Sequence, residues 1–228
     1  MSDDLNGAEL PETSLKTLRL RPGIVLNIQR MREGAPVIGA KFIAAIEGKG
    51  VMLTPSGMES HKTDIIIGDE YLIQGFTGQT DFSFTAPVLN VFTAPFAHAL
   101  VAYPAAVKAK QVRKSMRMKT ALPATISPRG QENPIEVSIV DLSADGAMIS
   151  SPNFLGGVGS LFDMAFPIEF DDVQTNLNIV AKLRHRTSTD NEGGRIGLSF
   201  ENVSREHKLL LNYFVSRITE ENSFIIEP

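Results

Sequence analysis

Two arginines, Arg113 and Arg117, stand four residues apart in the run Arg-Lys-Ser-Met-Arg. At this spacing their side chains lie on one side of the chain, whether it is helical or extended. A guanidinium stays protonated and offers a planar fork of donors that fits a phosphate, or the O6/N7 edge of guanine, in bidentate geometry. The pair can therefore clamp a polyanionic nucleotide, or it can be a solvated basic linker between domains.

A second polar group begins about 24 residues later, in the run Asp-Leu-Ser-Ala-Asp-Gly over 141–146. Asp141 and Ser143 share one face if a strand continues through them. A carboxylate accepts from N1 and N2 of guanine, and a hydroxyl reaches a base or a phosphate. Gly146 permits a positive φ or a close backbone approach. The alternative is structural, because Asp145-Gly146 between apolar runs is a strong hairpin signal.

Together the motifs R-x-x-x-R and D-x-S-x-x-G resemble the signature of the PilZ family of cyclic di-GMP receptors. Both motifs are complete at the spacing usual in that family, and the resemblance covers about 109–220. The roughly 100 residues before it resemble, in length, texture and position, the β-rich N-terminal domain of flagellar-brake-type proteins. The resemblance therefore implies a receptor whose ligand is cyclic di-GMP, with no other cofactor, no metal and no catalytic residue.

The resemblance also implies a role for each motif residue. Arg113 and Arg117 would bind guanine edges and phosphates. Asp141 and Ser143 would contact the region of the second guanine, and Gly146 would keep the loop shape that admits the ligand. Many relatives carry arginine directly before the first motif arginine, whereas this chain has Val112, which predicts one cyclic di-GMP per protomer.

The charge distribution is uneven along the 228 residues, although the net charge is only −4. Between Asp81 and Glu132 there is no acidic residue, and seven of the 22 basic residues lie there. The remaining 15 basic residues face 26 acidic ones, so the rest of the chain has a net charge of −11. A basic island in an acidic chain favours binding of an anion, or of the protein's own acidic surface.

The elements that must position these residues are strands. Short β-branched or aromatic runs fill 23–103, and period-two alternation marks Ile135, Val137 and Ile139 and the later runs 161–170, 177–183 and 194–200. Ala121–Ile126 is expected to be the first strand of a barrel. From Ser204, a suitable N-cap, the apolar residues Leu210, Tyr213, Phe214 and Ile218 recur at helical spacing and predict one amphipathic helix over about 204–219.

The fold class that follows is all-β with a C-terminal helix, in two β-barrel domains. We expect a split-barrel-like domain over 12–107 and a six-stranded antiparallel PilZ barrel over 108–226. The segment 108–120 joins them and carries the ligand-binding arginines. Without ligand this segment should be mobile, because like charges repel and little apolar surface holds it. Ligand binding would fold it onto the PilZ barrel, reorient the two domains and change a partner-binding surface.

Several other functions are disfavoured by what the sequence lacks. It has no cysteine, which excludes disulfides, thiol nucleophiles and thiolate metal sites, and its four histidines form no local metal motif. Ser143 stands in no G-x-S-x-G elbow, and there is no P-loop or G-x-G-x-x-G, so an enzyme such as a hydrolase is not expected. Residues 105–130 contain no aromatic side chain, which argues against a nucleic-acid-binding barrel. A ligand-free PilZ-like scaffold remains the alternative.

Location and partners are expectations of a weaker kind. The acidic start Met-Ser-Asp-Asp shows no secretory signal, so we expect a cytoplasmic, bacterial protein. The uncharged run 82–107 contains three prolines, which suit strands and not a membrane helix, so no membrane insertion is expected. A homodimer through the apolar N-terminal domain is predicted. An unknown protein partner, with the flagellar motor as the analogy, would connect the receptor to motility, biofilm or virulence control.

Overall fold

The computed structural model describes residues 11–57, 65–131, 133–151, 156–170, 173–187 and 194–221. These residues form two compact units, and the boundary between the units falls between Arg113 and Lys114. The sequence placed the start of the second domain at 108. In the structure Val107–Gln111 is instead a strand of the first unit, because it pairs with the strand Thr80–Phe92 through Ser83↔Lys108 to Thr80↔Gln111.

The first unit is a closed antiparallel barrel with two further strands. Its strands are β1 Glu12–Thr13, β2 Val25–Arg30, β3 Val37–Ile46, β4 Gly50–Pro55, β5 Glu70–Phe76, β6 Thr80–Phe92, β7 His98–Val101 and β8 Val107–Gln111. Six of them follow the order β6-β5-β2-β3-β4-β7, and β7 pairs back onto β6 to close the ring. Strands β8 and β1 extend the sheet beyond β6.

Strand β6 shows why the uncharged run does not form a membrane helix. Its side chains alternate, with Phe82, Phe84, Ala86 and Val88 buried in the first core and the residues between them facing outward. The sequence suggested two strands here, 82–84 and 88–92, but the structure has one strand of 13 residues. No helix in the described part of the chain is long and apolar enough to cross a membrane.

The second unit is a closed barrel of six antiparallel strands, in the order β10-β11-β14-β13-β12-β9. These strands are β9 Arg117–Pro128, β10 Ile135–Ser143, β11 Gly146–Ser151, β12 Leu161–Phe170, β13 Val173–Thr187 and β14 Gly194–Glu201. Large side chains such as Phe162, Phe166 and Ile126 fill its interior. Two barrels and one C-terminal helix confirm the predicted fold class.

Helix α1, Arg205–Glu221, follows the last strand and packs against β9, β10 and β12. Ser204 caps it, since the Ser204 hydroxyl accepts from the backbone N–H of His207 at 3.1 Å. The buried face differs from the predicted one: Leu211, Phe214 and Val215 enter the core, whereas Tyr213 is 42% exposed. Leu210 is only partly buried, and the side chain of Ile218 lies outside the described residues.

Candidate ligand-binding site

Strands β9 and β10 bring parts of the two motifs together as direct neighbours. In their antiparallel register Arg117 stands opposite Ser143, and Lys119 stands opposite Asp141. Directly opposed residues of an antiparallel pair have Cβ atoms about 4.5–5.5 Å apart. The chain connection between Arg117 and Asp141 is long, but the ladder places their strand positions within two residues of each other.

The outer surface of the barrel carries these residues. Met118 and Leu142 also oppose each other and are buried in the core, at 5% and 0% exposed. Because neighbours along a strand point to opposite faces, Arg117 and Lys119 must face outward, and both are exposed. Asp141, next to Leu142, is half-buried on the same outer face. The result is a surface with two cations beside one carboxylate.

A register irregularity in β10 determines that Asp141 faces outward. Val137 and Ile139 are buried, so unbroken alternation would direct residue 141 into the core as well. The pairing of β10 with both β9 and β11 shifts between Ile139 and Asp141. After the shift the next core residue is Leu142, three positions beyond Ile139. The irregularity therefore moves the polar motif to the solvent side, which is a common use of β-bulges near binding sites.

Ser143 is committed to the hairpin turn. It is only 5% exposed, and its hydroxyl donates to the carbonyl of Gly146 at 3.0 Å. The same oxygen accepts from the backbone N–H of Asp145 at 3.4 Å. The turn residues are Ala144 and Asp145, one position earlier than the Asp-Gly pair suggested by the sequence. The geometry supports the structural interpretation of this serine: the hydroxyl is used to shape the turn beside the exposed face.

Gly146 is required by a close approach of two strands. It opens β11 opposite Ser199 of β14, without a positive φ. A Cβ built on this glycine would lie 2.3 Å from the carbonyl oxygen of Leu198, which no side-chain rotation can relieve. The absence of a side chain at position 146 therefore allows the hairpin to lie tightly against β14. The glycine is therefore needed for the close approach of two strands and not for a left-handed backbone conformation.

Arg113, the first motif arginine, belongs to the first unit in this structure. Its guanidinium carbon lies 4.7 Å from the centroid of the Phe76 ring, a cation–π contact. The backbone N–H groups of Val112 and Arg113 both donate to the carbonyl of Gln79, at 2.9 and 3.0 Å. The structure therefore holds Arg113 on the β5–β6 hairpin, whereas Arg117, Asp141, Ser143 and Gly146 come together in the second unit.

Asp145 joins the hairpin turn to the connecting segment and to helix α1. One carboxylate oxygen lies 2.9 Å from the Lys208 ammonium. Partial burial raises the pKa of Asp145, but hydrogen bonds from Lys208 and Ser115 and the charges of Lys208 and Lys114 outweigh it, so the pKa lies below its ordinary value. The contact with Ser115 gives the segment between the motif arginines an attachment in the second unit. The attachment is polar, and the prediction that this segment is mobile without ligand, because little apolar surface holds it, stays a prediction.

Two neighbours of the motif residues were not identified from the sequence. Lys119 stands opposite Asp141, and its signal was available, because residues two apart in a strand share a face with Arg117. Phe76 lies 37 positions before Arg113, and no local pattern connects the two. Among the described residues no group of three or more acidic, histidine or cysteine side chains is placed to hold a metal ion.

Comparison with known proteins finds a family match for part of the chain. Residues 111–217 match the family model "PilZ domain". No curated protein sequence matches the chain significantly. The matched range begins before Arg113, ends within α1 and contains both motifs.

Solved structures similar to the chain share little sequence identity with it. The inhibitor of motility MotI/DgrA of Bacillus subtilis is 15% identical, with a TM-score of 0.48, covering 89% of this chain and 99% of that one. YcgR of Escherichia coli in complex with c-di-GMP is 17% identical, with a TM-score of 0.41, covering 91% and 90%. The MrkH–c-di-GMP complex of K. pneumonia is 12% identical, with a TM-score of 0.39, covering 91% of each chain.

The family match confirms the resemblance predicted from the two motifs. PilZ domains are receptor modules of cyclic di-GMP signalling and not enzymes, so the prediction that this chain is a non-enzymatic effector is confirmed with it. The match does not depend on the first barrel, which lies almost wholly outside it. Residues 111–217 of the chain therefore match the PilZ domain.

Proposed function

We propose that the protein binds cyclic di-GMP at the outer face of its second barrel and passes the signal to a protein partner. The observation that carries the proposal is the register of β9 and β10, which sets Arg117 and Lys119 beside Asp141 on one exposed surface. This surface offers donors for phosphate and an acceptor for the guanine N1 and N2 groups. A guanine nucleotide presents the complementary pattern, whereas a simple anion has no donor for the carboxylate.

Each exposed side chain has a distinct role in this proposal. Arg117 binds a phosphate or the O6/N7 edge of guanine as a bidentate donor, because its planar fork fits both. Asp141 accepts from the Watson–Crick edge of a guanine. Lys119 supplies a further positive charge near the phosphates. Ser143 and Gly146 act by shaping the hairpin, since their polar atoms and space are already occupied by the turn and by Leu198.

Arg113 provides the connection to the first unit. It is the last described residue of that unit, attached through Phe76 and Gln79, and only three residues separate it from Arg117. A ligand that takes both arginines engages one residue from each unit. We therefore propose that ligand binding changes how the two units are arranged, which alters a surface read by the partner. Control of motility, biofilm or virulence is the proposed output.

The binding proposal is tested by isothermal titration of the protein with cyclic di-GMP. The Arg117→Ala variant should bind ten- to a hundredfold more weakly, since a charge-assisted hydrogen bond is worth about 1.5–3 kcal/mol. Arg129→Ala is the matched control, because Arg129 is an exposed arginine of the same basic island outside the motif, and it should bind as the unchanged protein does. No heat from the unchanged protein would support the ligand-free scaffold instead.

The same titration gives the stoichiometry. Val112 is 45% exposed and carries no charge. The resemblance to PilZ relatives implies that an arginine at this position accompanies an intercalated ligand dimer, and this chain lacks that arginine. We propose one cyclic di-GMP per protomer. A measured ratio of two ligands per protomer would contradict this.

The proposed rearrangement needs a separate measurement. Small-angle scattering profiles with and without cyclic di-GMP should differ for the unchanged protein. Arg113→Ala should bind more weakly and should lose the change in profile at ligand saturation, because its link to the first unit is gone. Identical profiles of the unchanged protein in both states would refute the rearrangement but not the binding. Light scattering on the same samples tests the predicted homodimer.

A further inference from the structure

The outer face that carries Asp141 continues across three more strands. The pairing register aligns Asp141 of β10 with Met148 of β11, Met148 with Gly197 of β14, and Gly197 with His185 of β13. Neighbouring strands lie about 4.8 Å apart, so Gly197 stands roughly 10 Å from Asp141 across the sheet. That is the span of a nucleotide and not of a single phosphate. The row therefore offers a longer surface than the two motifs define.

His185 lies over Gly197 on this outer face. Ile196 and Leu198 on either side are buried in the core, so position 197 points outward. A Cβ built on Gly197 would lie only 2.0, 2.4 and 2.7 Å from Cε1, Nδ1 and Nε2 of His185. The imidazole therefore occupies the space that any other residue at 197 would fill. Gly197 is buried beneath it, whereas His185 itself is exposed.

The surroundings of His185 keep its ring available to a ligand. Its neighbour Arg184 is held by other partners, with its Nε donating to the Ser199 hydroxyl at 2.8 Å and one terminal nitrogen 3.4 Å from the Glu201 carboxylate. Met148, half-buried, lies between His185 and Asp141 in the row. Among the outward-facing residues of the described parts of β9, β10, β11, β13 and β14, there is no Phe, Tyr or Trp.

A purine base needs two kinds of surface in a protein. Its edge needs hydrogen-bond partners, and its faces need apolar or aromatic groups on which to stack. The β9–β10 face supplies the first kind through Arg117 and Asp141. The His185 ring and the Met148 thioether supply the second kind on the same side of the barrel. The two kinds of surface belong to one row of paired residues.

We propose that His185, seated on Gly197, is a stacking surface for a purine base of the nucleotide bound at Arg117 and Asp141. This inference rests on the proposed function and extends its site to β13 and β14. In this assignment Gly197 is a positioning residue, because it acts by leaving room for the ring. His185 contacts the ligand by its ring and not by its charge.

Titration with cyclic di-GMP separates this proposal from its alternatives. His185→Ala should weaken binding at least fivefold, because base stacking on an aromatic ring is worth about 1–3 kcal/mol per base. His185→Phe keeps a ring of similar size and should bind within about twofold of the unchanged protein. His207→Ala, at the start of α1, is the matched control, removes the other described histidine of this unit and should change nothing. Circular dichroism confirms that each variant is folded.

Gly197→Ala provides a second, independent variant. Its new methyl group must displace the imidazole, so binding should weaken as in His185→Ala. In the double variant His185→Ala/Gly197→Ala the ring atoms that the methyl group would meet are gone, so the second change should add no further loss. Unchanged binding by His185→Ala, or equal losses in His185→Ala and His185→Phe, would overturn the stacking role while leaving the proposed function intact. Absence of binding by the unchanged protein would instead overturn the proposed function.

Discussion

The two signature motifs are held by the fold in opposite ways. The D-x-S-x-x-G motif lies within one hairpin, where Ser143 and Gly146 are used by the backbone and Asp141 is half-buried on the outer face. The R-x-x-x-R motif is divided between two units, with Arg113 attached to Phe76 in the first and Arg117 on β9 in the second. One motif builds a fixed surface, and the other spans a boundary. A signature of five residues thus contains at least three physical roles.

The strongest test of the fixed surface is Gly146→Ala. The added methyl group meets the Leu198 carbonyl oxygen at 2.3 Å, and this is backbone that cannot rotate away. We expect a loss of about 3 kcal/mol in the free energy of unfolding, measured by urea denaturation. Gly157→Ala is the control, since a Cβ there meets nothing within 4 Å. Equal stability of the two variants would show that the hairpin can move away from β14.

The next largest effect is expected for Ser143→Ala. This change removes the donor to the Gly146 carbonyl and the acceptor for Asp145 in a buried turn, which should cost about 1–2 kcal/mol of unfolding free energy. Ser138→Ala is the control, because Ser138 is a half-buried serine of the same strand. It should cost less than about 0.5 kcal/mol of unfolding free energy, as is usual for substitutions away from buried hydrogen bonds. Affinity for cyclic di-GMP should fall little in the folded variant. A large loss of affinity at unchanged stability would make Ser143 a direct ligand contact.

The attachment of Arg113 to the first unit is tested by a double-mutant cycle. Phe76→Ala, Arg113→Ala and the double variant should give a coupling of about 0.5–1 kcal/mol in the unfolding free energy of the first unit, the usual strength of an exposed cation–π pair. Arg113→Lys, which keeps the charge, should retain part of this coupling. Coupling near zero would mean that the Gln79 carbonyl alone fixes this end of the motif.

The smallest effect concerns the ion pair of Asp145 and Lys208. Because the pKa of Asp145 is lower in the folded protein than its ordinary 3.8, the pair stabilises the fold above pH 3.8, and this contribution disappears as the pH falls through the folded-state pKa. Lys208→Met should therefore cost a few tenths of a kcal/mol at neutral pH, as exposed pairs do, and nothing in acid. Thermal unfolding across this pH range measures the difference. A cost that persists well below 3.8 would assign it to packing of the lysine stem.

Much of the fold was predictable from the sequence because alternation and turn residues are local signals. Alternation predicted β10 and the later strands, and Ser204 marked the start of α1. The outward direction of Asp141 was not predictable, since alternation from Val137 and Ile139 would have turned it inward. Only the pairing with two neighbouring strands reveals the shift. The apolar face of α1 was misassigned for a similar reason, because Leu211 and Tyr213 differ in what packs on them and not in hydropathy alone.

For the candidate site, too, local signals in the sequence were sufficient for some features and strand pairing decided the others. Arg113, Arg117, Asp141, Ser143 and Gly146 were identified as a set from type and spacing. Their grouping in space was not, because it depends on register and on the unit boundary between Arg113 and Lys114. Phe76 and His185 could not be predicted from the sequence for a further reason. Each is singled out by a contact that only the structure shows, Phe76 with Arg113 and His185 with Gly197, and neither residue type is unusual where it stands.

The shift in β10 means that the direction of Asp141 depends on how the strand pairs and not only on which residues it contains. The same residues paired without the shift would direct Asp141 into the apolar interior of the barrel and Leu142 into water. Deleting Val140 would instead place Ile139 and Leu142 two positions apart, so that simple alternation would keep Asp141 on the outer face. The letters of the motif record neither the shift nor the residue that accompanies it.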